Sequence, residues 1–441
     1  MTLARPSGGL GVVATVWLVL AVGYGVFFSF SIFLVPLLEE FRWSRALTAG
    51  AISVSTIIQG VLAPLAGIAV DRAGPRRVIL AGIVLLGGSS LLASTIRMPW
   101  ELYLYTGLVG ALGMVGVGWV PMGVLLARWF AARRGRVVGF AFSGMGVGVF
   151  VIGPLAQWLI DARGWRTASA VLGVGMLVAV LPVAWFGARE PTRPASKSAQ
   201  DAEGPGASPR AALRLGVGRG GRASEVSFER RHDPCGPHPT VDPTLRDALT
   251  SRAFWALFAA YFFTPLAVFP VFIHQVAFAV DLGFPRLLVA SIFGAMGLMS
   301  SIGRAAFGLL TDRVGGAPAA TLSYACTAGG ALALVALERW PASEWLLVYA
   351  VLFGLGFGAR GPIITAIASD LFGGRRFGVI YGLLNVGNGV GGAIGPWFGG
   401  LVHDVTGSYR LAFLSSVVFS ALGAACFWAA RRRGLTMGEA R

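Results

Sequence analysis

Charge is scarce in this chain. Of its 441 residues only 13% are Asp, Glu, Lys or Arg, about half the share a soluble domain carries. Cysteine is scarcer still. Cys326 and Cys426 lie inside apolar runs and Cys235 in a polar stretch, so neither a disulfide framework nor a metal-ligand spacing is present. The four histidines, His232, His238, His274 and His403, form no HxxxH or HExxH pattern. There is no GxSxG, no P-loop and no pair of carboxylates in a usable setting. An enzyme is therefore not indicated, and no metal or cofactor is expected. The formal charge of +16 raises nucleic acid as a partner. The basic residues, however, sit in short clusters between apolar runs and no nucleic-acid module occurs, so that partner is not expected either.

What the chain has instead is apolar length: 55% of its residues are hydrophobic and the mean hydropathy is +0.72. A helix that crosses a bilayer needs about 20 mostly apolar residues. On that template twelve spans fall at 10–38, 47–70, 78–96, 101–127, 137–160, 167–188, 253–280, 286–311, 317–337, 345–369, 378–402 and 411–430. The first is too long for a signal-peptide core and lacks a cleavage site, so it is read as an uncleaved span. Arginines orient the set. The connections after spans two, four, eight and ten carry Arg72, Arg76, Arg77, Arg128, Arg133, Arg134, Arg136, Arg313, Arg375 and Arg376, whereas the opposite side mixes fewer arginines with acids. The positive-inside rule then predicts that both termini are cytoplasmic, in a multi-pass protein of the cytoplasmic (inner) membrane.

The stretch 189–244 is rich in Pro, Gly, Ser, Ala and charge and cannot bury a core. It is expected to be a mostly disordered cytoplasmic linker between a six-helix bundle over 1–188 and another over 245–441. The two bundles resemble each other. Gly67-Ile-Ala-Val-Asp71-Arg72-Ala-Gly74 matches Gly308-Leu-Leu-Thr-Asp312-Arg313-Val-Gly315 at an offset of 312 − 71 = 241. Phe130-Ala-Ala-Arg133-Arg134 matches Phe372-Gly-Gly-Arg375-Arg376, and Gly153-Pro154 matches Gly395-Pro396, both at 242. Internal repeats with a substrate site near the midplane between them are how many secondary transporters are built.

GIAVDRAGPRR, between spans two and three, resembles the loop signature of the major facilitator superfamily, and GLLTDRVGG stands at the same place in the second half. The resemblance covers the whole chain except 189–244. YGVFFSFSIFLVPLLEEFRWSR in span one and FPVFIHQVAFAVDLGF in span seven resemble bacterial members of the monocarboxylate transporter and oxalate/formate antiporter families. The resemblance implies an all-α membrane protein of two pseudo-symmetric six-helix bundles, with spans one, four, seven and ten around a central cavity. GRAAFGLLTDRVG in span eight resembles the segment where those families place a substrate-binding arginine, a role that falls here on Arg304.

Arg304 and Arg360 both lie deep inside apolar runs. Insertion scales put a central arginine at about 2.5 to 3.5 kcal/mol, so the pair costs about 5 to 7 kcal/mol, comparable with the net stability of a domain. Of the twenty acids none sits near the middle of a span. The missing anion is then the substrate, a small organic anion and foremost a monocarboxylate. Gly354, Gly356, Gly358, Gly361 and Pro362 leave a competing reading for Arg360, in which freed backbone carbonyls solvate the guanidinium. Tyr24, Phe28, Trp119 and Tyr261 fall on the cavity spans and are candidate substrate contacts, as are Asn385 and Asn388 in span eleven. Asn388 stands where the oxalate/formate antiporter has a lysine, which argues against a dicarboxylate held by that pair of charges. Ser300 stands where animal monocarboxylate carriers have an aspartate one turn before their arginine, so coupling to protons through a membrane carboxylate is not supported. His274 is the remaining titratable candidate. Asp71, Arg72, Arg76 and Arg77, with Asp312 and Arg313 as the weaker second copy, are expected to form a cytoplasmic gate.

The sequence thus predicts a monomeric secondary transporter that works by alternating access, with proton symport, antiport and uniport all open. Export of hydrophobic or drug-like compounds, and a membrane sensor that binds without transporting, are the alternatives.

Overall fold

The computed structural model describes residues 6–130, 134–190, 245–372 and 377–431. The expected linker, beyond Arg189 and Glu190, lies outside the described residues, as do Arg133, Arg375 and Arg376 of the repeat. Among the described residues every regular element is helical.

Ten helical runs are long and apolar enough to cross a membrane. One of them, Val137–Gly187, has 51 residues. It is two spans, five and six, that meet at Gly164, whose φ of 79° is not helical. A further helix, Phe377–Thr406, has 30 residues, enough for about 45 Å at 1.5 Å per residue. Its glycines and its two asparagines lower its hydropathy, yet it coincides with span eleven predicted from the sequence. With these two the twelve spans are complete.

Two spans are less regular than the sequence suggests. Span one is two segments, Pro6–Phe28 and Phe30–Phe41, broken at Ser29, whose hydroxyl turns back to donate to the Val26 carbonyl at 2.7 Å. Span four, Pro99–Trp129, is interrupted at Gly118, where ψ is −166°. A break of this kind is tolerated at membrane depth where the backbone lines a cavity.

The repeat read from sequence recurs in the backbone. Among the described residues, positive φ occurs at Arg42, Gly74 and Gly164 and again at Gly283, Gly315 and Gly407. The offsets are 283 − 42 = 241, 315 − 74 = 241 and 407 − 164 = 243. Each pair therefore turns the chain at the same point of the span order. Gly74 and Gly315 both end the helix that carries an Asp-Arg pair.

Packing follows the same symmetry. Within the second half, span eight (Arg286–Val314) and span nine (Gly316–Arg339) pack on span ten (Ser343–Phe372). Between the halves, span two (Arg45–Ala73) packs on span eleven, and span five packs on span eight. Exchange of the halves maps one contact onto the other, since two corresponds to eight and five to eleven. Glycine permits the approach: a Cβ on Gly60 of span two would meet the Gly389 backbone of span eleven.

The two ends of the bundle differ. At the end that carries Asp281, the halves are tied together. Arg45 pairs with Asp281 at 2.7 Å and donates to the Tyr409 hydroxyl at 2.5 Å. The Asp404 carboxylate accepts from the backbone N–H groups of Arg45 and Ala46 at 2.9 and 2.8 Å, where span two begins. Glu39 pairs with Arg286 at 2.5 Å. At the other end Asp71, Arg72, Asp312 and Arg313 are exposed, and no ion pair joins the halves there among the described residues.

Candidate functional site

A cavity of about 200 Å³ lies between the halves at mid-depth. The break at Gly118 turns Trp119 into it, and Tyr24 and Phe28 of span one line the same wall. Asn385 and Asn388 of span eleven line the opposite side, with Gln59 and Thr56 of span two beside them. Toward the Asp281 end the cavity is roofed by aromatic rings. Phe28 meets Phe272 of span seven edge-on at 4.8 Å between centroids, and Phe272 stacks on Phe357 at 5.2 Å. The Ser31 hydroxyl, just beyond this roof, bonds to the Phe272 and Ile273 carbonyls at 3.1 and 2.9 Å.

Arg304 is not itself among the residues that line the cavity but adjoins two that are, Tyr24 and, through Phe142, Trp119. One guanidinium nitrogen, Nη1, donates to the Phe142 carbonyl at 2.6 Å, and Nη2 makes a long 3.4 Å contact with the Ser300 hydroxyl one turn earlier. Phe142 in turn packs on Trp119 at 4.4 Å. Arg304 and the Tyr24 phenol are within electrostatic reach of each other. A guanidinium carries five N–H donors, so three of them have no acceptor among the described residues. No carboxylate pairs with Arg304 among the described residues either.

Arg360 is placed otherwise. It is 1% exposed and turns away from the cavity toward span nine. Nε donates to the Ser323 hydroxyl at 3.3 Å, Nη2 to the Thr327 hydroxyl, and the guanidinium lies over the Tyr324 ring at 4.6 Å. Its Nη1 has no partner among the described residues. The expectation that Arg360 faces the cavity therefore does not match this arrangement. Two hydroxyls one helical turn apart and an aromatic face solvate it from a neighbouring helix, whereas its sequence neighbours point only to the carbonyls of its own helix.

Tyr261 is also outside the cavity lining. Its hydroxyl donates to the Tyr381 hydroxyl at 2.7 Å inside the second half. His274 is fully buried, bonds through Nε2 to the Pro396 carbonyl at 2.9 Å and packs on Tyr409 at 5.1 Å. It belongs to the tied end of the bundle. Of the gate residues, Arg76 donates to the Trp185 carbonyl at 2.7 Å; Asp71, Arg72, Arg77, Asp312 and Arg313 form no ion pair among the described residues.

Two six-span halves related by exchange, with a cavity between them, are an architecture shared by a known family, and its sequence model matches residues 16–359 and 325–439. The chain belongs to the Major Facilitator Superfamily. Its similarity to curated members of the superfamily runs nearly end to end. Monocarboxylate transporter 13 of Rattus norvegicus is 29% identical over 424 residues, which cover 95% of this chain and 88% of that one. Monocarboxylate transporter 4 of Mus musculus is 26% identical over 420 residues, covering 93% and 81%. Among solved structures, a bacterial homologue of the human lysosomal transporter Spinster aligns with a TM-score of 0.69 at 13% identity over 97% of this chain and 98% of that one. The nucleoside transporter NupG aligns with a TM-score of 0.69 at 12% identity over 96% and 100%. The protein is thus a superfamily transporter similar to monocarboxylate transporters.

Sequence reasoning missed Gln59, Thr56 and Phe269 in the lining of the cavity. Gln59 had a usable signal, since it is a lone amide in the apolar run TIIQGVLAP. Phe269 had none, because one of 29 phenylalanines carries no mark of its position.

Proposed function

We propose that the protein moves a small organic anion, a monocarboxylate, across the cytoplasmic membrane by alternating access, with both termini in the cytoplasm. The observation that carries this reading is Arg304, a half-buried cation next to Tyr24 of the cavity wall, with no carboxylate beside it among the described residues and three unused donors. Guanidinium takes a carboxylate through two parallel bonds. Tyr24 and Trp119 flank the position such an anion takes. The amides of Asn385, Asn388 and Gln59 are hydrogen-bonding groups without net charge, and they suit one carboxylate better than two. The tied Asp281 end, and the lack at the Asp71 end of any ion pair between the halves among the described residues, support assigning this arrangement to a cytoplasm-open state. In that state Asp71, Arg72, Arg77, Asp312 and Arg313 are gate charges held apart.

Flux of labelled monocarboxylates into proteoliposomes tests the reading. Arg304→Lys keeps the charge and loses the fork, so uptake falls at least tenfold while the amount of folded protein is unchanged. Wild-type uptake by Arg304→Ala overturns it. A second reading, export of hydrophobic compounds, draws on the aromatic roof of Phe28, Phe272 and Phe357. The same flux assay with a neutral aromatic substrate separates the two.

A further inference from the structure

A second cavity, distinct from the central one, opens at the Asp71 end of the first half. It is open to its surroundings, with a volume of about 770 Å³. Five arginines line it, Arg72, Arg76, Arg77, Arg128 and Arg189, against two acids, Asp71 and Glu190. The acids do not balance them. Glu190 is taken by Arg128 at 2.8 Å. Arg76 lies over the Trp185 ring at 5.2 Å and donates to the Trp185 carbonyl, and its Nε is buried without a partner among the described residues. Arg72, Arg77 and Arg189 are exposed and form no ion pair among the described residues. A concave surface with, among the described residues, a net surplus of three guanidinium groups is built for an anion, and the planar fork suits the two free oxygens of a phosphate diester.

The surroundings narrow the source of that phosphate. Trp185 and Phe186 are 54% and 65% exposed on the outside of the bundle, and the Trp129 indole donates to the Arg189 carbonyl at 2.8 Å. Tryptophan gathers at the level of the lipid headgroups, so the pocket lies where headgroups are, with apolar side chains next to it for the acyl chains. Basic pockets at this depth recognise anionic headgroups. We propose that this arginine pocket binds the phosphate of an anionic phospholipid.

The test uses the full-length protein in detergent, exchanged against phosphatidylglycerol or phosphatidylcholine. Native mass spectrometry and thermal melting are the readouts. Phosphatidylglycerol is expected to stay bound and to raise the melting temperature, and phosphatidylcholine to do neither. Each of Arg77→Gln and Arg189→Gln should weaken phosphatidylglycerol retention about fivefold, which corresponds to about 1 kcal/mol per arginine. Arg313→Gln, at the mirror turn of the second half, should leave it unchanged. If a glutamine variant fails to fold, Arg77→Lys keeps the charge and should still lower retention measurably. Equal retention of the two lipids, or retention unchanged in folded Arg77→Gln and Arg189→Gln, overturns the proposal. A melting shift given by inorganic phosphate alone, without preference between the lipids, assigns the pocket to a free phosphate and overturns the lipid assignment.

Discussion

Arg304 and Arg360 look alike in the sequence, each a lone basic residue in an apolar run, and their surroundings separate them. Arg304 spends two donors on a backbone carbonyl and a distant hydroxyl, next to Tyr24 of the cavity wall. Arg360 is sealed against Ser323, Thr327 and Tyr324. A cation–π contact of a desolvated guanidinium is worth about 2 kcal/mol, which helps offset its burial. The expected outcome of substitution therefore differs. Arg304→Met should abolish the melting shift produced by a transported monocarboxylate. Arg360→Met should leave that shift within about twofold in ligand concentration and instead change the melting temperature of the empty protein, because it removes two hydrogen bonds and the ring contact at a buried position, while the Ser323 and Thr327 hydroxyls keep donating to the Gly356 and Ser323 carbonyls. Thermal melts of both variants with and without ligand check this. A buried cation was legible in the sequence at both positions. Its partner was not, since Ser323 and Thr327 lie 37 and 33 residues away from Arg360 on another helix.

At the scale of the helices, the turns carry the symmetry of the fold. Gly74 and Gly315 combine φ of 82° and 86° with ψ of 151° and 165°, a region almost reserved for glycine that costs a side chain about 1 to 3 kcal/mol. Gly74→Ala and Gly315→Ala should each lower stability by that amount, measured by denaturation in detergent, and the two effects should add because the sites are far apart. Gly74 has an additional neighbour, for a Cβ there would meet the Glu190 carboxylate. Gly74→Ala should therefore be the costlier of the two and should loosen the pairing of Arg128 with Glu190. The motif around these glycines is legible as a repeat in the amino-acid order alone, because the same local chemistry is needed wherever a helix must end and reverse within one residue. The breaks at Ser29 and Gly118 are not legible there. Serine and glycine occur throughout the spans, and only the presence of a cavity on one side decides which of them interrupts a helix.

For the whole molecule, the contrast between its two ends sets the state. Arg45 is the hub of the tied end, paired with Asp281 and bonded to Tyr409, while Asp404 holds the backbone at the start of the same helix. The Asp281 side chain is 45% exposed, and a pair that open to solvent contributes less than about 1 kcal/mol. Arg45→Gln should thus shift the equilibrium toward opening at this end by up to about fivefold and leave substrate chemistry alone. Labelling of a cysteine introduced at Phe28 by an impermeant reagent added on the Asp281 side reads the shift. In the same assay from the other side, Asp71→Asn should increase accessibility if the Asp71 charge helps to close that end.

The sequence by itself determined the class of this protein. Apolar runs of spanning length, arginines gathered in alternate connections and a repeat at an offset of 241 to 242 residues leave little but a twelve-span transporter, because each follows from local chemistry written residue by residue. Tertiary structure decided the site. Which side chains line the cavity, which partners each buried arginine finds and which end is tied all depend on rotation and contact between helices far apart in the chain, such as Arg45 with Asp404 and Arg304 with Phe142. Hydrophobic periodicity marks a helix as buried. In a bundle packed on several sides it does not mark which buried face looks onto the cavity and which onto another helix.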